Sequence, residues 1–164
     1  MQLEKAIEFL HRSGEELQAL LTDVPDTRWA EQPAGVRNHP AWTVPHLCCG
    51  LRLGMDMLGL VERSSCPVVW RETTDIGTLP VDDRSVYPSG KVALETYLRC
   101  AEEYARAVRG TDPVVFDQVN PVVEERDFYP TIGHGVLYIL LSHTPMHLGQ
   151  LIAWKRAAGL VPVS

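Results

Sequence analysis

The sequence predicts an all-α protein: a four-helix bundle with a long crossover between helices two and three. Three observations carry that prediction. Four segments repeat apolar residues at steps of three and four, the period of a helix that buries one stripe. No pair of segments alternates as strands do; Pro67–Trp70 and Val114–Phe116 are only short apolar runs. Between the second and third segments lies a stretch, residues 61–88, punctuated by SSCP, TLP, DDRS and YPSG. Structureless connections longer than ~15 residues are uncommon in compact domains, and a crossover between two parallel helices accounts for one. The 164 residues are enough for a single domain with its own core, taken as residues 1–164.

The first helix is expected from about Gln2 to Leu21 or Asp23. Leu3, Ile7, Leu10, Leu17, Leu21 and Val24 repeat at helical steps, with Gly14 in the missing position. Pro25 ends it, because the residue before a proline is driven out of the helical region. Thr27–Asn38 reads as a loop whose Trp29 folds back on the bundle end.

The second helix is placed between Pro40 and Glu62. It is apolar over most of its circumference, so it is largely buried. Arg52 and Asp56 share its polar face. Its inward stripe is His46, Gly50, Leu53, Met57 and Leu60. Gly50, one turn beyond His46, leaves room for an imidazole. Thr43 is the expected N-cap, which puts Pro45 in the first turn, where its missing N–H costs nothing.

The third helix runs from Ser89 or Gly90 to Gly110. Leu94, Tyr97, Ala101, Tyr104 and Val108 form its stripe, Ser89 its cap and Gly110 its C′ residue. A connection follows, with Pro113, Pro121 and the acidic run Glu124–Asp127, which reads as a solvated loop. Thr131 caps the fourth helix, which continues to Ala158 and stops at Gly159. Lys155 and Arg156 in its last turn suit the helix dipole.

Bulk properties exclude several functions. The composition, 45% hydrophobic and 22% charged, is that of an ordinary globular chain. No apolar run reaches the ~20 residues that cross a bilayer, and the charged, amphipathic start is not a signal peptide. Net charge is −6, with no basic patch interleaved with aromatics, which argues against nucleic-acid binding. Cys48, Cys49, Cys66 and Cys100 form no CxxC motif. Reduced thiols and a cytoplasmic location are therefore expected.

The chemistry is concentrated in the fourth helix. Ile132, Val136, Ile139, His143, His147, Gln150 and Trp154 make one inward stripe, so two imidazoles occupy positions where a core calls for Leu or Ile. A buried polar group without a partner costs about 1–3 kcal/mol. Backbone or water can satisfy these rings; a metal ion is the other candidate. With His46 on helix two, three inward histidines can converge and leave coordination positions open, as catalytic zinc sites do. Neutral imidazole suits Zn, Ni, Cu and Fe(II) alike. Pro145 lies between the two ligands. It removes the hydrogen bond to the Leu141 carbonyl, costs about 3 kcal/mol unless compensated, and is expected to kink the helix without breaking it. Cys49, one turn from His46 but nearer the polar flank, has a fourth-ligand or redox role as a minor alternative. Gln150 can hydrogen-bond near the site. His11 is expected on the surface, and His39 and His134 as capping or exposed residues.

Two motifs resemble a known family. Asn38-His39-Pro40-Ala41-Trp42-Thr43-Val44-Pro45-His46-Leu47 is similar to the second-helix motif of the DinB-like (DinB/YfiT) superfamily. Tyr129-Pro130-Thr131-Ile132-Gly133, with the segment His143 to Leu160 (HTPMHLGQLIAWKRAAGL), resembles its last helix. The resemblance implies a four-helix bundle with the long crossover and a metal-binding triad at His46, His143 and His147. It implies a divalent transition metal (Zn, Ni, Fe or Mn) and a small-molecule substrate. It also implies an enzyme that uses a low-molecular-weight thiol such as bacillithiol or mycothiol, and a homodimer. The position after the first histidine of the pair, often acidic in similar sequences, is Thr144 here. A thiol-dependent transferase is thus the leading expectation. A metal-dependent hydrolase, a non-catalytic metal or ligand binder, and a bundle with satisfied core histidines are the competing readings.

Overall fold

A computed structural model describes residues 3–160. The described residues are all-α; their one β-type pairing is an isolated bridge between Val119 and Thr131. Helix α1 spans Leu3–Leu21, α2 Pro40–Met57, the short α3 Arg71–Thr74, α4 Gly90–Gly110, α5 Ile132–Tyr138 and α6 Thr144–Ala157. The expected start of α1 at Gln2 lies outside the described residues.

The stripes read from the sequence are the faces that meet. Ile7, Leu10, Leu17 and Leu21 of α1 are buried, as are Tyr97, Tyr104 and Val108 of α4. Helix α2 packs along α4, and α1 packs against α4 and α6. Gly14 lets the two helices close, since a methyl there would lie 3.2 Å from the Tyr97 ring. Trp29 does fold back, donating its indole N–H to the Val24 carbonyl at 3.2 Å.

Three boundaries differ from the expected ones. His39, not Thr43, caps α2: its Nδ1 accepts the Trp42 N–H while its Nε2 bonds the Val81 carbonyl at 2.8 Å. Pro40 therefore takes the first helical position, where a fixed φ and a missing N–H are harmless. Pro45 lies in the helix interior instead. The helix also ends earlier, at Met57. Gly59 adopts φ +69°, and the Gly59 and Leu60 N–H groups bond the Asp56 and Met55 carbonyls, a Schellman closure. Gly110 is the last residue of α4 and Thr111 caps it, where Gly110 was expected beyond the end.

Pro145 does not break the last helix. The chain stays helical from Ile132 to Ala157, but residues Ile139–His143 form a π turn between α5 and α6. The widened turn relieves the clash of the proline ring with the preceding carbonyl and redistributes the bonding that its missing N–H would leave short. Thr144 keeps helical dihedrals (φ −65°, ψ −46°), so it caps nothing. Its hydroxyl instead meets the buried Tyr97 hydroxyl at 2.9 Å, pinning the helix to α4 just beyond the π turn.

The connection from Val61 to Ser89 is not structureless. It holds single 3-10 turns at Val61–Arg63, Val68–Trp70 and Arg84–Val86, besides α3. It covers the N-terminal half of α2, where Trp42 Nε1 donates to Thr78 Oγ1 at 3.0 Å.

Candidate metal centre

Helix α2 supplies His46; the π turn supplies His143 and α6 supplies His147. One ligand nitrogen from each lies within 4.8 Å of the others, and all three side chains are buried. His46 Nε2 and His143 Nε2 are 3.2 Å apart. Two imidazole nitrogens at ~2.1 Å from one tetrahedral ion stand about 3.4 Å apart, so this pair is already at shared-ligand spacing.

Hydrogen bonds set which nitrogen faces inward. His46 Nδ1 is 2.8 Å from the Thr74 carbonyl, which can only accept, so that nitrogen carries the proton and Nε2 presents its lone pair. His147 Nδ1 donates to Gln150 Oε1 at 2.9 Å, and the same oxygen accepts from Asn38 Nδ2 at 2.8 Å. His147 Nε2 thus also faces the cluster as an acceptor, and it is buried with no hydrogen-bond partner. Leaving such an atom unpaired costs about 1–3 kcal/mol, and an ion in the cluster supplies the missing partner. The residues present therefore fit a metal. Each outer partner is what ligand imidazoles ordinarily use: a carbonyl for one, a side-chain oxygen for another.

Electrostatics favour the ligating form. Burial pushes the His46 imidazole down, and His143 further, where the charges of His46 and His147 add to burial. His147 is pushed down to about 4, chiefly by burial and then by His46. All three are neutral at neutral pH and need lose no proton to bind an ion.

Gly50 makes the arrangement possible in a way its position only half reveals. The room it leaves is occupied by His143, not by His46: a methyl on Gly50 would lie 2.5 Å from His143 Nδ1. Trp42 stacks on His46 with ring centroids 4.4 Å apart, and Tyr138 lies over His143 at 5.5 Å.

The cluster opens on a cavity of about 110 Å³. Its walls are mainly apolar, with Leu53, Met57, Ile76, Ile139 and Met146 beside Cys49, Asp75, Tyr129 and Tyr138. A larger depression of about 590 Å³ shares Cys49, Leu53, Asp75 and Ile76 with it and extends to Arg52, Arg71, Glu124 and Glu125. The acidic loop thus reaches the approach to the site. Asp75 is the carboxylate on the cavity wall, and Arg71 holds it at 2.6 Å. Cys49 contacts Thr74 Oγ1 at 3.7 Å, and hydrogen bonds from Cys66 and Thr74 hold its thiol below the ordinary range.

Of the other histidines, His39 is the buried α2 cap and His134 sits exposed beside Thr131, outside the cluster. The sequence reading missed Thr74, Asp75 and Ile76 in the long connection and Tyr138 on α5. No local pattern marks the first three; Tyr138 lies five residues before His143, and only the helix places it over that ring.

A family model described as the DinB superfamily matches residues 10–151. No curated protein and no solved structure matches the chain. The matched span takes in all three histidines, the cap at His39 and the Asn38–Gln150 support, so sequence profile and site coincide, and the chain belongs to the DinB superfamily.

Proposed function

We propose that the chain is a four-helix bundle of the DinB type, with α1, α2, α4 and the α5–α6 helix as its members and residues 61–89 as the crossover. We further propose that it is a divalent-metal-dependent, thiol-dependent transferase acting on a small molecule. His46, His143 and His147 hold the ion through their inward nitrogens. The observation that carries this reading is the unpartnered, buried Nε2 of His147 beside the 3.2 Å Nε2–Nε2 pair. A divalent ion there lowers the pKa of a thiol or water that it binds, supplying a nucleophile at neutral pH.

The protein's own residues set the rest. Thr74 and Gln150 orient the imidazoles. The apolar, sulfur-containing walls (Met57, Met146, Cys49) suit an organic thiol more than a free water. Hydrolysis further calls for a base to manage water, and Asp75 is already engaged by Arg71. These features favour thiol transfer over hydrolysis. The resemblance to family members that use low-molecular-weight thiols, and that form homodimers, supports the same reading and a dimeric assembly.

Elemental analysis of purified protein tests the metal: stoichiometric transition metal in wild type and its loss in His147→Ala are expected. A screen of low-molecular-weight thiols against electrophilic acceptors tests the chemistry. Activity that survives complete metal removal refutes the mechanism.

A further inference from the structure

The metal cavity is too small to enclose a whole organic substrate. At about 110 Å³ it falls below the roughly 300–1,000 Å³ of pockets that hold small ligands, whereas the depression beside it reaches about 590 Å³. The two adjoin along Cys49, Leu53, Asp75 and Ile76, which line both. A molecule whose reacting end meets the histidine cluster therefore rests its body in the depression.

The walls of the two spaces differ in kind. The cavity is mainly apolar; the depression is charged. Arg52 and Asp56 come from α2, Arg71 and Asp75 from α3 and its end, and Glu124 and Glu125 from the connection before α5. Arg71 and Asp75 neutralise each other at 2.6 Å. Arg52 is half-buried, and among the described residues its guanidinium makes no ion pair and no hydrogen bond, although Asp56 stands one turn away. The side chains of Glu124 and Glu125 make none either. Their segment is nonetheless held in place: the buried Asn120 side chain accepts the Val122 N–H and donates to the Tyr129 carbonyl, each at 3.0 Å. A purely anionic ligand in this depression faces more carboxylates than cations, and a purely cationic one leaves Arg52 without a partner. A ligand that carries both signs satisfies both.

We propose that Arg52 selects the substrate, and that the thiol this protein uses carries an ammonium and a carboxylate, as an amino-acid or short-peptide thiol does. This rests on the thiol-transfer reading above. The carboxylate lies on the Arg52 guanidinium, whose planar fork matches it bidentately. The ammonium goes to Glu124 and Glu125. Arg52 directly precedes Leu53, a wall of both spaces, so a body held at Arg52 directs its sulfur past Leu53 into the cavity. These charges do no bond-making; they decide which thiol enters.

The test is calorimetric titration of matched thiols into the zinc-loaded full chain. Homocysteine carries both charges, 4-mercaptobutanoate lacks the ammonium, 3-mercaptopropylamine lacks the carboxylate, and propane-1-thiol lacks both. Homocysteine should bind tighter than each of the others by about 5–10-fold. Arg52→Gln should abolish its advantage over 3-mercaptopropylamine and leave the affinities of 3-mercaptopropylamine and propane-1-thiol unchanged. Glu124→Gln combined with Glu125→Gln should abolish its advantage over 4-mercaptobutanoate; an amine that merely chelates the zinc keeps that advantage, which overturns the assignment of the ammonium. Comparing thiols within one variant cancels any change in the metal centre itself, and the wild-type ranking stands without the variants. Equal affinities for the whole set in wild type, or an unaltered ranking in Arg52→Gln, overturns the proposal and leaves the thiol reading intact. Binding of none of the set overturns both.

Discussion

Gly50→Ala separates what the site needs from what the helix prefers. In a helix interior, alanine is better than glycine by up to about 1 kcal/mol, so propensity alone predicts a more stable protein. The structure predicts a damaged site. The added methyl would sit 2.5 Å from His143 Nδ1, where ordinary contact begins at 3.4 Å. The imidazole must withdraw by about 1 Å, well outside the ~0.2 Å within which metal–ligand distances are held. Its Nε2 then leaves the 3.2 Å spacing to His46. Losing one well-placed ligand should weaken metal binding by at least about 100-fold, or about 2.7 kcal/mol. Overpacking costs of about 1–3 kcal/mol offset or exceed the propensity gain, so the metal-stripped variant should be no more stable than wild type. Gly149→Ala is the control: it is on α6, next to the site in sequence, and nothing lies within 4 Å of the added methyl. It should gain up to about 1 kcal/mol and bind metal as wild type does. Competition titrations with a chromophoric chelator, alongside denaturant unfolding of the stripped proteins, give both quantities. Wild-type metal affinity in Gly50→Ala would falsify the geometric account.

Other outcomes follow from the same contacts. Gln150→Leu removes the acceptor shared by His147 Nδ1 and Asn38, and metal affinity should fall about 10–100-fold, measured by the same titration. Acid should destabilise the metal-stripped protein before its carboxylates titrate. His147 is held at about 4 in the fold against 6.5 ordinarily, so the unfolded chain binds the extra proton and stability drops as pH falls from 6.5 towards 4. The loss attributable to His147 is at most about 3 kcal/mol. Unfolding curves at several pH values should show a shallower pH slope in His147→Gln, and an unchanged slope contradicts the assignment. Thr144→Val leaves the buried Tyr97 hydroxyl without its 2.9 Å partner and should cost about 1–3 kcal/mol by chemical denaturation. Adding Tyr97→Phe should recover part of that loss.

Periodicity made the main helices and the three histidines legible. Steps of three and four assign a face, and burial of that face is what folds the chain; His46, His143 and His147 stood on it and met. The cap of α2 was only partly legible: His39 reads as a capping or exposed residue, but Thr43 reads as the N-cap. Thr43 is the better capping residue by propensity, but His39 outcompetes it because Val81, more than forty residues on, fixes the ring. Thr74 and Asp75 escaped for a related reason. Their role comes from where the long connection lies against α2, and that placement is set by contacts such as Trp42–Thr78 rather than by local sequence. Pro145 announced a distortion, but its form depends on how the surrounding turn shares its hydrogen bonds.

The π turn is also a record of register. A residue in an α-helix advances the chain by about 100°, and i→i+5 bonding lets one surplus residue pass without rotating everything before it. Ile139, His143 and His147 follow one another by two successive steps of four, a spacing that drifts around a regular α-helix and is tightened by a wider turn. Removing a single residue between Ile139 and Ser142 would let the helix revert to regular winding. α5 would keep its orientation to α6, and Tyr138 would stand four residues before His143 rather than five, still on the face of that ring. The ligand pair would survive, HxxxH intact, and so would the walls around it. What the shorter helix would give up is the relief at Pro145, whose ring would again meet the carbonyl of the preceding turn.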